Sequence, residues 1–128
     1  MYWVRKSQSI KNLRKKAWKI FSEYIRMRDN YICFTCNKRC DKNTSQAGHF
    51  IHRNSLDFDE RNIHCQCVKC NKYLSGNLIE YTLKMIKKYG HETVDELKIL
   101  SHQVRKFSRD ELEEIIENYK SKLKTDEL

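Results

Sequence analysis

Two Cys-x-x-Cys pairs, Cys33/Cys36 and Cys67/Cys70, stand thirty residues apart in a chain of 128. Each such turn offers a metal ion two sulfurs, and zinc takes four in a tetrahedron. Cys40, Cys65 and His64 lie close by and can each replace one of the four, although the simplest assignment leaves both extra cysteines as spare thiols. A zinc closed by four thiolates has no open position, so its expected role is structural. Such an ion contributes about 10 kcal/mol to folding in small modules. This chain needs a staple, because 39% hydrophobic and 34% charged residues leave burial alone marginal. Thiols reserved for metal imply a reducing compartment, and a cytoplasmic location is expected. No apolar run reaches membrane-spanning length, and no signal-peptide pattern opens the chain.

The chain has no proline and three glycines, Gly48, Gly76 and Gly90. That favours an α+β, mostly helical, single domain over an all-β one. Residues 1–8 are expected to fray. Ile10, Leu13, Ala17, Phe21, Tyr24 and Ile25 recur at helical spacing, widened by Trp18 and Ile20, and predict a helix over 9–28 that stops at Asp29-Asn30. The stapled core occupies 31–75. It has a short extended stretch at Tyr31, Ile32 and Phe34, a turn at 41–45, a second strand over 46–52, and a helix from Cys67 to about Leu74. Leu56 and Phe58 are expected core anchors. The C-terminal extension, 76–128, is helical. Leu78 to Ile86 fill one segment closed by Gly90. Thr93 with Glu96, and Ser108 with Glu111, each fit a capping box.

Nine of the 26 Lys/Arg lie in the first 28 residues, against one acid, Glu23. A basic arm on a near-neutral body suits a phosphate backbone. Lys11, Lys15 and Lys19 fall away from the apolar face and are candidate phosphate contacts. Arg53, Lys72 and Asn77 are further candidates beside the core, Asn77 also being placed to cap a helix. Trp3 and Trp18 can stack on exposed bases, while Trp18 also fits the apolar stripe.

Phosphodiester cleavage requires a base, a divalent cation to offset phosphate charge, and groups that hold the two in line. His49 is the candidate base. An imidazole titrates near neutrality, and Ala47-Gly48 before it leave room for a phosphate. Asn62 can orient the loop or the imidazole. Asn71 follows the second knuckle, where its amide oxygen can bind Mg²⁺ or Mn²⁺. Each also has a plain structural role: a strand histidine, a turn asparagine, a helix cap.

A histidine on a hairpin, an asparagine five residues before Cys67 and a ligand residue directly after Cys70 resemble the HNH, or ββα-metal, nucleases. The stretches FSEYIRMRDNYICFTCNK, AGHFIHR, NIHCQCVKCN and SGNLIEY further resemble the phage NinG/Rap recombination protein family, over roughly residues 18–90. The resemblance implies a ββα core on zinc and a divalent-metal-dependent endonuclease. It also implies branched recombination intermediates, Holliday junctions and D-loops, as substrates, met in the cytoplasm of a bacterial host. It makes His49 the general base, Asn62 the middle asparagine and Asn71 a cation ligand. The sequence departs from the pattern at Gly48, where many HNH enzymes carry an aspartate ligand. His52, Asp57, Asp59 and His64 are candidates to replace it.

Two other classes of function fit the same residues. One is a zinc-dependent DNA-binding module that does not cut, which the missing aspartate favours. The other is an interaction protein whose acidic C-terminal helices dock on recombination proteins or form a homodimer.

Overall fold

The computed structural model describes residues 9–126, so Trp3 and the expected fraying of residues 1–8 lie outside it. Helix α1 spans Ile10–Arg28. Ser9 starts it, its Oγ accepting from Asn12 N at 3.2 Å, which satisfies one of the free amides of the first turn. Leu13, Ala17, Phe21 and Ile25 form its buried stripe, while Ile10 remains 50% exposed. The chain leaves the helix at Asp29 and turns sharply through Asn30 and Tyr31, both with positive φ.

Strands β1 (Gln46–His49) and β2 (Ile63–Gln66) make a two-stranded antiparallel sheet, pairing Gly48 with His64 and His49 with Ile63. The second expected strand is therefore shorter than 46–52. Beyond Phe50 the backbone is captured by Asn62, whose amide accepts from Ile51 N at 2.9 Å and donates to Ile51 O at 3.0 Å. The extended stretch expected at 31–34 makes only an isolated bridge, Ile32 with Arg39, because positive φ at Tyr31 and Asn37 curls it into the first knuckle. The partner of β1 is instead β2, which is buried at all four positions and so lacks the alternation that marks a half-exposed strand.

The helix expected after Cys67 is a short, wide π-type turn over Lys69–Tyr73, ended by Ser75, Gly76 and Asn77, all at positive φ. Helices α2 (Leu78–Tyr89) and α3 (His91–Ser101) meet at Gly90, whose φ of 88° ends one and begins the other. Helix α3 thus starts two residues before Thr93, and the capping box expected there does not form. Thr93 Oγ1 donates back to Tyr89 O, and Glu96 pairs with Arg61 at 3.0 Å. The second box forms as expected. Ser108 and Glu111 exchange bonds of 3.1 and 3.2 Å at the start of α4 (Arg109–Asp126).

Helix α4 packs on α1 through Leu112, Ile116 and Tyr119, while Phe107 and the Phe58 ring fill the gap between them. A second core, Phe50, Leu56, Tyr81, Met85 and Leu97, joins α2 and α3 to the hairpin loop. Together they give a mixed α+β, mostly helical fold that grips a small sheet from both sides. Among the described residues, no helix is long and apolar enough to cross a membrane.

Candidate metal centre and active site

The first knuckle closes through Cys33 N to Lys38 O at 2.8 Å and Asn37 N to Cys33 O at 2.8 Å. In the second, Cys70 N donates to Cys67 Sγ at 3.4 Å. The sulfurs of Cys33, Cys36, Cys67 and Cys70 all lie within 4.8 Å of one another. Cys36 Sγ and Cys67 Sγ are 3.8 Å apart, which is the edge expected (~3.8 Å) for sulfurs ~2.3 Å from a tetrahedral zinc. The four cysteines are positioned to bind a metal ion. Burial pushes the Cys33 thiol up, but hydrogen bonds from Thr35 and from the Cys67 and Cys36 backbone outweigh it and lower it to about 6.

A polar shell surrounds the cluster. Thr35 Oγ1 sits 3.2 Å from Cys33 Sγ, and Asn77 Nδ2 donates to Cys70 Sγ at 3.6 Å. Such outer contacts orient ligands and tune their charge. Asn77, read from sequence as a phosphate contact or a helix cap, thus serves a sulfur and makes no side-chain cap. Cys40 and Cys65 stay outside the cluster.

His64 is not a ligand. It is fully buried, with Nδ1 3.1 Å from Tyr81 Oη and Nε2 2.9 Å from Tyr89 Oη. Burial, with Arg28 and Lys88 nearby, pushes its pKa down to about 2, so it is neutral. Tyr81 Oη in turn donates to Gly48 O at 2.8 Å. This buried chain supports the backbone just before His49.

His49 ends β1. Its Nε2 lies 3.0 Å from Asp57 Oδ1, while Arg14 on α1 donates to Asp57 Oδ2 at 2.6 Å. The ring stacks on Trp18 at 5.0 Å and on His52 at 5.2 Å. Burial raises the Asp57 carboxyl, but hydrogen bonds from His49 and Arg14 outweigh it and hold it below the usual range. An ionised carboxylate only accepts, so Nε2 donates to it, and in the neutral form of the ring Nδ1 carries the lone pair. His52 is pulled down by burial and by its neighbour His49. Asn62 serves the loop backbone, and its amide bonds go to Ile51 and Leu56.

On the other face of the strand, a Cβ at position 48 would lie 1.8 Å from Gln66 Oε1 and 3.0 Å from Asn71 Oδ1. The space of the absent aspartate is filled by a glutamine. Gln66 Nε2 donates to Thr35 Oγ1 at 3.1 Å and Gly76 O at 2.9 Å, whereas its buried Oε1 has no donor. Asn71 Nδ2 donates to Gln46 Oε1 at 2.7 Å, which turns Asn71 Oδ1 towards Gly48. These two amide oxygens are the hard donors that could hold a divalent cation here. Three of the replacements expected for the aspartate are committed elsewhere: Asp57 binds His49 and Arg14, Asp59 binds Arg61 through both oxygens, and His64 is in the core, whereas His52 stacks on His49 through its ring face.

Lys11, Lys15 and Lys19 are exposed on α1 away from its buried stripe, and Arg53 and Lys72 are exposed beside the hairpin. Two further basic places had no signature in the sequence. One is a hollow at the first knuckle edged by Lys84, Lys87 and Lys88. The other is the pair Lys98 and His102 on α3, which shares a hollow with His49. Asp57 carried a signal as an acid near His49, but Gln66 carried none beyond being polar between Cys65 and Cys67.

Fold and site define a small α+β protein with a two-stranded hairpin and a four-cysteine cluster positioned to bind a metal ion. The chain belongs to the NinG family, matching the description "Bacteriophage Lambda NinG protein" over residues 3–127. It is 35% identical over 127 residues to the protein ninG of Escherichia phage 933W, covering 96% of this chain and 57% of that protein. It is 34% identical to those of Escherichia phage lambda and Salmonella phage P22, over 96% of this chain and 56% and 57% of theirs. The chain thus spans little more than half the length of these curated relatives. No solved structure matches it.

Proposed function

We propose that the chain is a structure-selective endonuclease of the HNH type, acting on branched DNA such as Holliday junctions and D-loops by metal-assisted phosphodiester hydrolysis. The observation that carries this reading is the Asp57–His49 pair at 3.0 Å, held at the edge of a hollow lined by Arg53 and Lys98 and by no acid. Asp57 fixes the imidazole with Nδ1 free. Nδ1 then takes a proton from water as the oxygen attacks phosphorus, the ester bond opposite the incoming oxygen breaks and its sugar oxygen takes a proton from solvent, while the basic side chains hold the flanking phosphates. Zinc on the four thiolates serves as the staple. A divalent cation such as Mg²⁺ or Mn²⁺, which Asn71 Oδ1 and Gln66 Oε1 would hold across β1 from His49, would supply positive charge to the DNA backbone. Asn62 positions the loop that follows the base. Lys11, Lys15 and Lys19 grip adjoining duplex, with Lys72 beside the knuckle. Symmetric cutting of a four-way junction calls for two sites, hence a homodimer, working with phage recombination proteins in the host cytoplasm.

A non-cleaving DNA-binding module is the second reading. It is favoured by Gly48 and by a cation cradle of neutral amides, which holds Mg²⁺ less firmly than carboxylates do. The two readings separate in a nicking assay of wild type and His49→Ala on four-way junctions with Mg²⁺ or Mn²⁺. Nicking by wild type, lost in a variant that still binds, is the expected result. Binding by wild type without any nicking establishes the module instead.

A further inference from the structure

We propose that the hollow beside His49 receives one unstacked nucleotide, adjacent to the phosphate presented to the imidazole, and that the protein thereby selects DNA with an unpaired base at a branch point. This rests on the endonuclease reading of His49 but names what that site recognises.

The hollow has a volume of about 570 Å³, within the range of sites that enclose a small ligand. Three elements form it: the loop after β1, the start of α2 and the exposed side of α3. Phe50, Ile51, Leu78 and Val94 supply apolar surface, and Arg53 and Lys98 supply cationic groups. No Asp or Glu lines it. An apolar slot with a cationic lining matches a nucleotide, which has a flat apolar face and an anionic linkage. Pulling a base from intact duplex costs stacking and pairing, and the cost is least where the base is already unpaired. A branch point therefore fills the slot with less penalty than continuous duplex. The other hollows differ in kind. The one between Ser55 and α4 is lined by three acids, Asp59, Glu111 and Glu114, against one base, Arg105, and the basic one at the first knuckle does not include His49.

The test uses the full chain with zinc bound and a three-way DNA junction bearing 2-aminopurine at the branch-point nucleotide. Binding is measured without added Mg²⁺ or Mn²⁺, so that it is read apart from cleavage. The expected results are a change in 2-aminopurine fluorescence on binding and at least about fivefold tighter binding than to the same junction with an abasic residue there, the order expected when part of a base's apolar face is buried against aliphatic side chains. Leu78 is 57% exposed, so Leu78→Asp spares the core and should abolish the preference, while Lys98→Ala should weaken binding of both junctions. Equal affinity of wild type for the intact and abasic junctions overturns the proposal. So does a Leu78→Asp protein that keeps the preference, or a wild type that binds no junction. Base preference without nicking in Mg²⁺ or Mn²⁺ upholds the slot and removes the nuclease, and nicking without base preference does the reverse.

Discussion

Gly48 and Gln66 interlock: the amide oxygen of Gln66 occupies the space where a side chain on residue 48 would begin, 1.8 Å from an ideal Cβ. The glutamine is fully buried and tied to Thr35 and Gly76, so it cannot swing aside without losing both bonds.

Gly48→Asp should therefore destabilise the fold by roughly 1–3 kcal/mol, the usual cost of overpacking. Gly48→Asp with Gln66→Ala should recover part of that loss and bind Mn²⁺ more tightly than wild type, because a carboxylate replaces a neutral amide. Urea unfolding and Mn²⁺ titration check the two halves. A single variant as stable as wild type would refute the interlock.

Asp57→Asn keeps the shape of the side chain but removes the charge that holds His49 Nε2–H. Cleavage should fall about 100-fold or more with little change in DNA affinity. A purely structural role would alter affinity and rate together.

His64 makes stability depend on pH. Its folded pKa is about 2, against 6.5 for the free side chain. The unfolded chain therefore binds the extra proton between these values, and stability falls as pH drops below about 6.5. One such group changes the folding constant about tenfold per pH unit. His64→Gln should be less stable near neutrality but show a slope shallower by about one proton between pH 5 and 6. Equal slopes would mean that the imidazole is protonated in the folded state.

Elemental analysis of the purified protein should find one zinc per chain. Cys36→Ser or Cys70→Ser should lose it and unfold, and a strong chelator should do the same to wild type, since metal affinity is here part of the folding free energy. Cys40→Ser should retain both metal and fold, because Cys40 lies outside the four-sulfur cluster.

Removing the charges of Lys11, Lys15 and Lys19 together should weaken binding to every DNA form. The dependence of log affinity on log salt should flatten by about one unit for each phosphate no longer neutralised. Binding indifferent to salt would remove α1 from the interface.

The knuckle spacing, the stripe and stop of α1, the Ser108–Glu111 cap and the end of α2 at Gly90 were legible in the sequence because each depends on residues a few positions apart. Local spacing alone sets the bite of two sulfurs or the face of a helix. The surroundings of the site were not legible in this way. Asp57 reaches His49 across eight residues, Arg14 reaches Asp57 across 43, and Tyr81 reaches Gly48 across 33. A polar letter in a sequence does not say whether it is solvated, buried in a network like His64 or lodged under a strand like Gln66. Packing decides that, because each buried polar atom takes whatever partner the converging helices bring within reach.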